Sequence, residues 1–143
     1  GVQTCALPIF NDQHGHLIGD EVLILVAQLM RSTFRASDRL YRFGGEEFVV
    51  LLRCNDASGA ETAFERFRSR VETTDFPRIE RLTVSIGFTA IDAGDTPGSA
   101  FERADQAVYH AKENGRNMAI SHDTLTACGL LQAKAQDGGV EFF

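Results

Sequence analysis

The chain is short of what several function classes require. Its three cysteines, Cys5, Cys54 and Cys128, are odd in number and have no metal-type spacing, so neither a disulfide framework nor a zinc site is indicated. A reducing cytoplasm is the compartment that fits. Positive charge is scarce: 14 Lys and Arg against 20 Asp and Glu leave a net charge of -6. That argues against DNA or RNA as a partner, because a polyanion calls for a basic face. A mononucleotide remains compatible, since a few local cations suffice. The longest apolar run, Val22 to Ala27, is far too short to span a bilayer, and no signal peptide is evident. Direct membrane contact is therefore not expected, and any membrane part lies outside this chain. No GxxxxGK[ST] run occurs, so a P-loop nucleotidase is not supported. Neither an internal repeat nor a low-complexity linker divides the sequence.

What is present fits one soluble globular domain. At 143 residues the chain can bury roughly two thirds of its unfolded surface in a single core. Its apolar share of 43% and charged share of 24% are ordinary for such a domain.

The stretch Gly44-Gly45-Glu46-Glu47-Phe48 organises the rest. Arg39 to Phe43 alternates polar and apolar residues, and Phe48 to Leu52 is bulky and partly β-branched, so two strands joined by a tight turn are predicted. Glycine at the first two turn positions permits positive φ and lets a ligand approach the main chain, which suits a phosphate. As turn chemistry alone, Glu46 and Glu47 are solvated charges at a loop tip.

Residues 1–9 show no strand alternation and no helical period, and they carry a central proline. They read as a non-native scar joined to a truncated gene, the other reading being a divergent native N-terminus. Phe10 to Asp20 is a glycine-punctuated loop. It leads into a helix whose apolar face is Val22, Leu25, Val26, Leu29 and Met30. Asp20 stands at the helix start, either as an N-cap or as a carboxylate for a guanine edge, and Asn11 can donate to and accept from the same edge. His14 and His16 lack a further ligand at metal spacing, so a metal site there ranks low.

Arg35 near the helix end complements the dipole, and Asp38 fits the turn that follows. A second amphipathic helix is marked by Ala60, Ala63, Phe64, Phe67 and Val71, with Arg66, Arg68 and Arg70 mostly outward. Leu82 to Thr89 alternates as a strand buried on one face. Ala100, Phe101, Ala104, Ala107, Val108 and Ala111 give a third helix face, capped by Gly115, with Lys112 and Arg116 forming a basic helix end. Met118 to Ser121 fits a short last strand. From His122 on, Leu125, Cys128 and Leu131 allow a short helix before a glycine-rich tail, and no chemistry is read there. The element order predicts an α+β sandwich, a mostly antiparallel sheet flanked by helices.

Several of these segments resemble one family. The turn resembles the signature of the GGDEF family, the diguanylate cyclases, in its GGEEF form. Asn11 to Asp20 looks like the family's ND-x-x-GH-x-x-GD segment, and Arg35 and Asp38 match its RxxD pair. TVSIGF resembles its central strand. Ala104 to Asn117 is similar to ADxAMYxAKxxGRN, with Val108 where methionine is usual.

The resemblance covers Phe10 to Asn117 and implies a fold like the palm of nucleotidyl cyclases and polymerases. It sets a GGDEF domain at 10–121 and a C-terminal tail at 122–143. It implies condensation of two GTP into cyclic di-GMP by a face-to-face homodimer with magnesium or manganese, under an upstream sensory domain. Gly44, Gly45, Glu46 and Glu47 fall on the catalytic tip, with Glu46 the metal-binding acid. Asn11 and Asp20 fall on the guanine contacts, His16 on the same pocket, and Lys112 and Arg116 on the triphosphate. Arg35 and Asp38 fall on an inhibitory product site.

The departure is at the N-terminus. Gln3, Cys5 and Pro8 stand where the family has Asp-x-Asp-x-Phe-Lys, so the first strand is expected to be missing or non-native. Impaired turnover is the consequence, and a non-catalytic receptor of cyclic di-GMP or GTP is the rival reading, ahead of a purely structural dimerisation module.

Overall fold

A computed structural model describes residues 3–11, 20–43, 47–77 and 79–131. Among the described residues the elements are, in chain order, β1 (Gln3–Asn11), α1 (Asp20–Thr33), β2 (Arg39–Phe43), β3 (Glu47–Cys54), α2 (Ala57–Thr73), β4 (Val84–Ile91), α3 (Pro97–Glu113), β5 (Ala119–Ser121) and α4 (His122–Ala127). The strands form one sheet in the order β2-β3-β1-β4-β5. Every pairing is antiparallel except β4 with β5, so the α+β sheet expected from the element order is the one observed.

Two corrections concern the strands. Residues 1–9 carry no strand pattern, yet Gln3–Asn11 forms the central strand, paired with β3 on one side and β4 on the other. The first strand is therefore not missing from the fold. Two flanking ladders set the conformation here, because strand preference follows context more than local pattern. β1 meets β4 through Thr4–Ala6 and again through Ile9–Asn11. Pro8, which has no N–H to give a ladder, sits between the two runs. The second correction is to β4, which was expected to bury one face. Val84 to Thr89 are all buried, because helices cover both sides of the sheet.

On one side, alternate residues of β3 and β4 meet α1 and α2. Phe48, Val50 and Leu52 join Val84, Ile86 and Phe88, with Val22, Val26 and Met30 of α1 and Ala60, Phe64, Phe67 and Val71 of α2. Phe34, just after α1, packs its ring 5.9 Å from Phe64 and 5.4 Å from Phe67. Phe64 in turn lies 4.9 Å from Phe88. These phenylalanines are core, as expected, and each contributes ~1.5–3 kcal/mol by burial.

On the other side α3 lies against β4 and β1 through Ala100, Ala104, Ala107, Val108 and Ala111. The small residues let the helix approach closely. α3 is set by local chemistry: Thr96 accepts from the Ser99 N–H at 3.1 Å, Ser99 Oγ accepts from the Thr96 N–H at 3.0 Å, and Pro97 opens the first turn. Asp56 caps α2 by accepting from the Gly59 N–H at 2.8 Å. The chain expected as tail from His122 begins with α4, whose Leu125 is fully buried, and residues 132–143 lie outside the described residues.

Candidate functional site

The antiparallel register gives the sheet two chemically different ends. At one of them Glu47 opens β3 between Phe43, the last residue of β2, and Phe10 of β1. Asn11 ends β1 beside Val84, the first residue of β4. The Ile86 N–H donates to the Met118 carbonyl at 2.8 Å, which brings the segment after α3 to the same end. Asn11, Glu47, Lys112 and Arg116 are thus gathered from distant parts of the chain. Asp20 is exposed in the first turn of α1 with Glu21, where both carboxylates complement the helix dipole. α1 ends near Asp38 at the opposite end of the sheet, and at 1.5 Å per residue its first residue stands ~20 Å from its last. His16, Gly44, Gly45 and Glu46 lie outside the described residues.

Lys112 occupies the last turn of α3, half-buried. The turn that follows is unusual. Gly115, Arg116 and Asn117 all have positive φ, at 110°, 61° and 49°. The Arg116 N–H donates to the Ala111 carbonyl at 2.8 Å, closing the helix end. The Asn117 side chain is held by α2: its Oδ1 accepts from Arg68 at 2.9 Å and its Nδ2 donates to Glu72 Oε2 at 2.6 Å. Arg68 also pairs with Glu72 at 3.2 Å and with Glu65, and Arg81 pairs with Glu72. Hydrogen bonds from Arg81, Asn117 and Arg68 hold the Glu72 carboxyl below the usual carboxylate range, and those to Glu65 and Glu72 raise Arg68. Sequence reading placed Arg68 on an outward face and singled out neither Glu72 nor Asn117. The Arg68 and Glu72 spacing of four residues and an asparagine after glycine at a helix end were the available signals.

Arg35 and Asp38 are not part of this cluster. Asp38 accepts from the Arg35 N–H at 2.8 Å and from the Arg53 N–H at 3.1 Å, which ties the turn after α1 to the far end of β3. There a cavity of about 400 Å³ is lined by Phe34, Arg35, Asp38, Arg53, Cys54 and Arg66, among others. Arg66, exposed on α2 as expected, also lines this cavity. Arginines beside an acid in one concavity can fork onto a phosphate and a base edge.

The donor set for a metal can be tested on β1. The register places Gln3 opposite Cys54, at the far end from Glu47. Gln3, Cys5 and Pro8, which stand where the family has Asp-x-Asp-x-Phe-Lys, therefore pair with Cys54, Leu52 and Val49 and not with Glu47. Ile9, Phe10 and Asn11 arrive at the Glu47 end, because a strand advances ~3.3 Å per residue and the register fixes which residues arrive. No residue of Gln3–Asn11 is Asp or Glu. Among the described residues of β1, β2 and β3, the carboxylate at this end is that of Glu47. A carboxylate there fits a magnesium ion bound jointly with substrate phosphates. Among the described residues no group of three His, Cys, Asp or Glu forms a metal cluster, and no helix is long and apolar enough to cross a membrane.

Known proteins are similar to this chain in sequence and in fold. The family described as "Diguanylate cyclase, GGDEF domain" matches residues 6–118. "Diguanylate cyclase DgcP" of Pseudomonas aeruginosa is 41% identical over 110 residues, which are 75% of this chain and 16% of the relative, so the chain spans a small part of that protein's length. Among solved structures, the GGDEF domain of DgcB from Caulobacter crescentus in complex with c-di-GMP superposes with a TM-score of 0.76 at 29% identity, covering 86% of this chain and 80% of that one. The active GGEEF domain of a diguanylate cyclase from Vibrio cholerae gives 0.73 at 31% identity, covering 84% and 83%.

Proposed function

Because the chain belongs to the GGDEF family of diguanylate cyclase domains, we propose that it condenses two GTP molecules into cyclic di-GMP with release of two pyrophosphates. The observation that carries this reading is the convergence at one sheet end of Asn11, Glu47 and the basic turn Lys112 to Arg116. Asn11 and Asp20 take the guanine edge, with His16 beside it. Adenine would leave such polar groups unpaired, a penalty reaching about four orders of magnitude. Lys112 and Arg116 neutralise the triphosphate, and Gly44 and Gly45 let the main chain approach it. Glu46 and Glu47 would hold one magnesium or manganese ion together with the nucleotide phosphates. When bound, it supplies charge neutralisation at the phosphates and acidifies the attacking 3'-hydroxyl.

One domain takes one GTP, so two copies must meet face to face, and the dimer population sets the rate. A sensory domain elsewhere in a longer cytoplasmic protein is the natural control on that population. Turnover by this chain is slow, because β1 brings no carboxylate beside Glu47, and losing one such electrostatic contact commonly costs ~3 kcal/mol of transition-state stabilisation. The far cavity takes the product through Arg35, Asp38 and Arg66, consistent with the c-di-GMP complex of the Caulobacter domain.

The test is calorimetric titration of the chain with GTP and with ATP in magnesium. GTP binding that is lost in Asp20→Ala, with no ATP binding, is expected. Equal binding of both nucleotides would contradict the assignment of Asn11 and Asp20.

A further inference from the structure

Arg116 and Asn117 are consecutive non-glycine residues in left-handed backbone, at φ 61° and 49°. Such conformations persist only where the surroundings over-determine them, and they cluster at functional sites. Here the surroundings are α2. The Asn117 carboxamide is gripped at both ends, by Arg68 at 2.9 Å on its oxygen and by Glu72 at 2.6 Å on its nitrogen. Arg68 and Glu72 are themselves paired at 3.2 Å, and Glu65 and Arg81 brace them from either side. On the other flank the Arg116 N–H is fixed to the Ala111 carbonyl. Two residues later, the Met118 carbonyl is fixed to β4 by the Ile86 N–H. The backbone of Arg116 is therefore clamped before and after.

We infer that Arg68, Glu72 and Asn117 are positioning residues that preset Arg116 for the triphosphate of the bound nucleotide. The inference rests on the reading of Lys112 and Arg116 as triphosphate ligands. A helix end left to itself frays, and a long arginine would then lose side-chain and backbone freedom on each binding event. Clamping the turn from α2 removes the backbone part of that loss beforehand. The device acts on the phosphates and not on the base, which gives it a signature that general destabilisation lacks.

The full 143-residue chain is titrated calorimetrically with GTP in magnesium and with guanosine, and thermal unfolding is recorded for each variant. Asn117→Gly keeps access to the left-handed backbone while deleting the amide, and Glu72→Ala removes its acceptor. Both are expected to weaken GTP about tenfold and leave guanosine unchanged. Glu72→Gln, which still accepts from Asn117, is expected to recover most of the loss. GTP binding by Asn117→Gly equal to that of the parent would overturn the inference, since the residue would then supply backbone shape alone. A parallel loss for guanosine would overturn it as well. Arg116→Ala separates the two layers: undiminished GTP binding there removes the triphosphate reading and the inference with it. Weakened binding in Arg116→Ala beside unchanged binding in Asn117→Gly removes the positioning role alone.

Discussion

Gly87 of β4 lies directly under Ala104 of α3: a Cβ at position 87 would stand 2.3 Å from the Ala104 carbonyl oxygen and 2.4 Å from the Val108 nitrogen. Both are backbone atoms, so neither can swing away. Gly87→Ala must push α3 off the sheet, and a loss of ~2–3 kcal/mol or more is expected from overpacking of this kind. Gly94→Ala, where a Cβ meets nothing within 4 Å, is the matched control and should unfold like the parent. Denaturant titration of the two variants checks this, and equal stability would show that α3 sits further from β4 than described.

The far cavity makes a separate prediction. Arg66→Ala and Arg35→Ala are each expected to weaken cyclic di-GMP binding roughly tenfold while GTP binding is kept, because forked, charge-assisted bonds to the product are lost at the opposite end of the sheet. Asp38→Ala should do more, since its carboxylate also holds the Arg35 and Arg53 backbone N–H groups. Titration with cyclic di-GMP decides it, and simultaneous loss of GTP binding would show that the two ends are not independent.

Acid stability should follow Asp95. Its carboxylate is held far below the ordinary value of 3.8, first by the Arg103 guanidinium and then by the Asp92 backbone and Ser99. A depressed folded-state pKa means stability that is present above the unfolded value and lost as pH falls through the folded one. The destabilisation caused by Arg103→Gln is therefore expected to be largest near neutral pH and to shrink as pH drops below 3.8. Arg103 also donates to Thr89 and to the Ala90 carbonyl, so some loss persists at every pH. Thermal midpoints of parent and variant across that range measure it, and a gap that does not narrow would contradict the assignment.

Much of this was legible in the sequence, because helix faces and strand alternation report burial directly. The faces of α1, α2 and α3 were read correctly from residues such as Val26, Phe64 and Ala104. β1 was not legible, since Gln3 to Asn11 takes its form from the ladders beside it and not from a pattern of its own. The same cause hid which residues of β1 arrive beside Glu47: register is a relation between strands. The place of Arg66 at the cavity and the grip on Asn117 were not legible, because each depends on a partner element, the end of β3 for one and α2 for the other.

The central claim is that Glu46 and Glu47, without an acid from β1, support slow dimer-dependent cyclisation of GTP. The most direct test is the rate of cyclic di-GMP formation from GTP and magnesium by the 143-residue chain, followed across protein concentration, with Glu47→Ala beside it. The account predicts a rate far below the ~10 s⁻¹ typical of enzymes, rising more steeply than linearly with protein and abolished in the variant. Rapid synthesis, or a rate that is linear in protein and indifferent to Glu47→Ala, would contradict it.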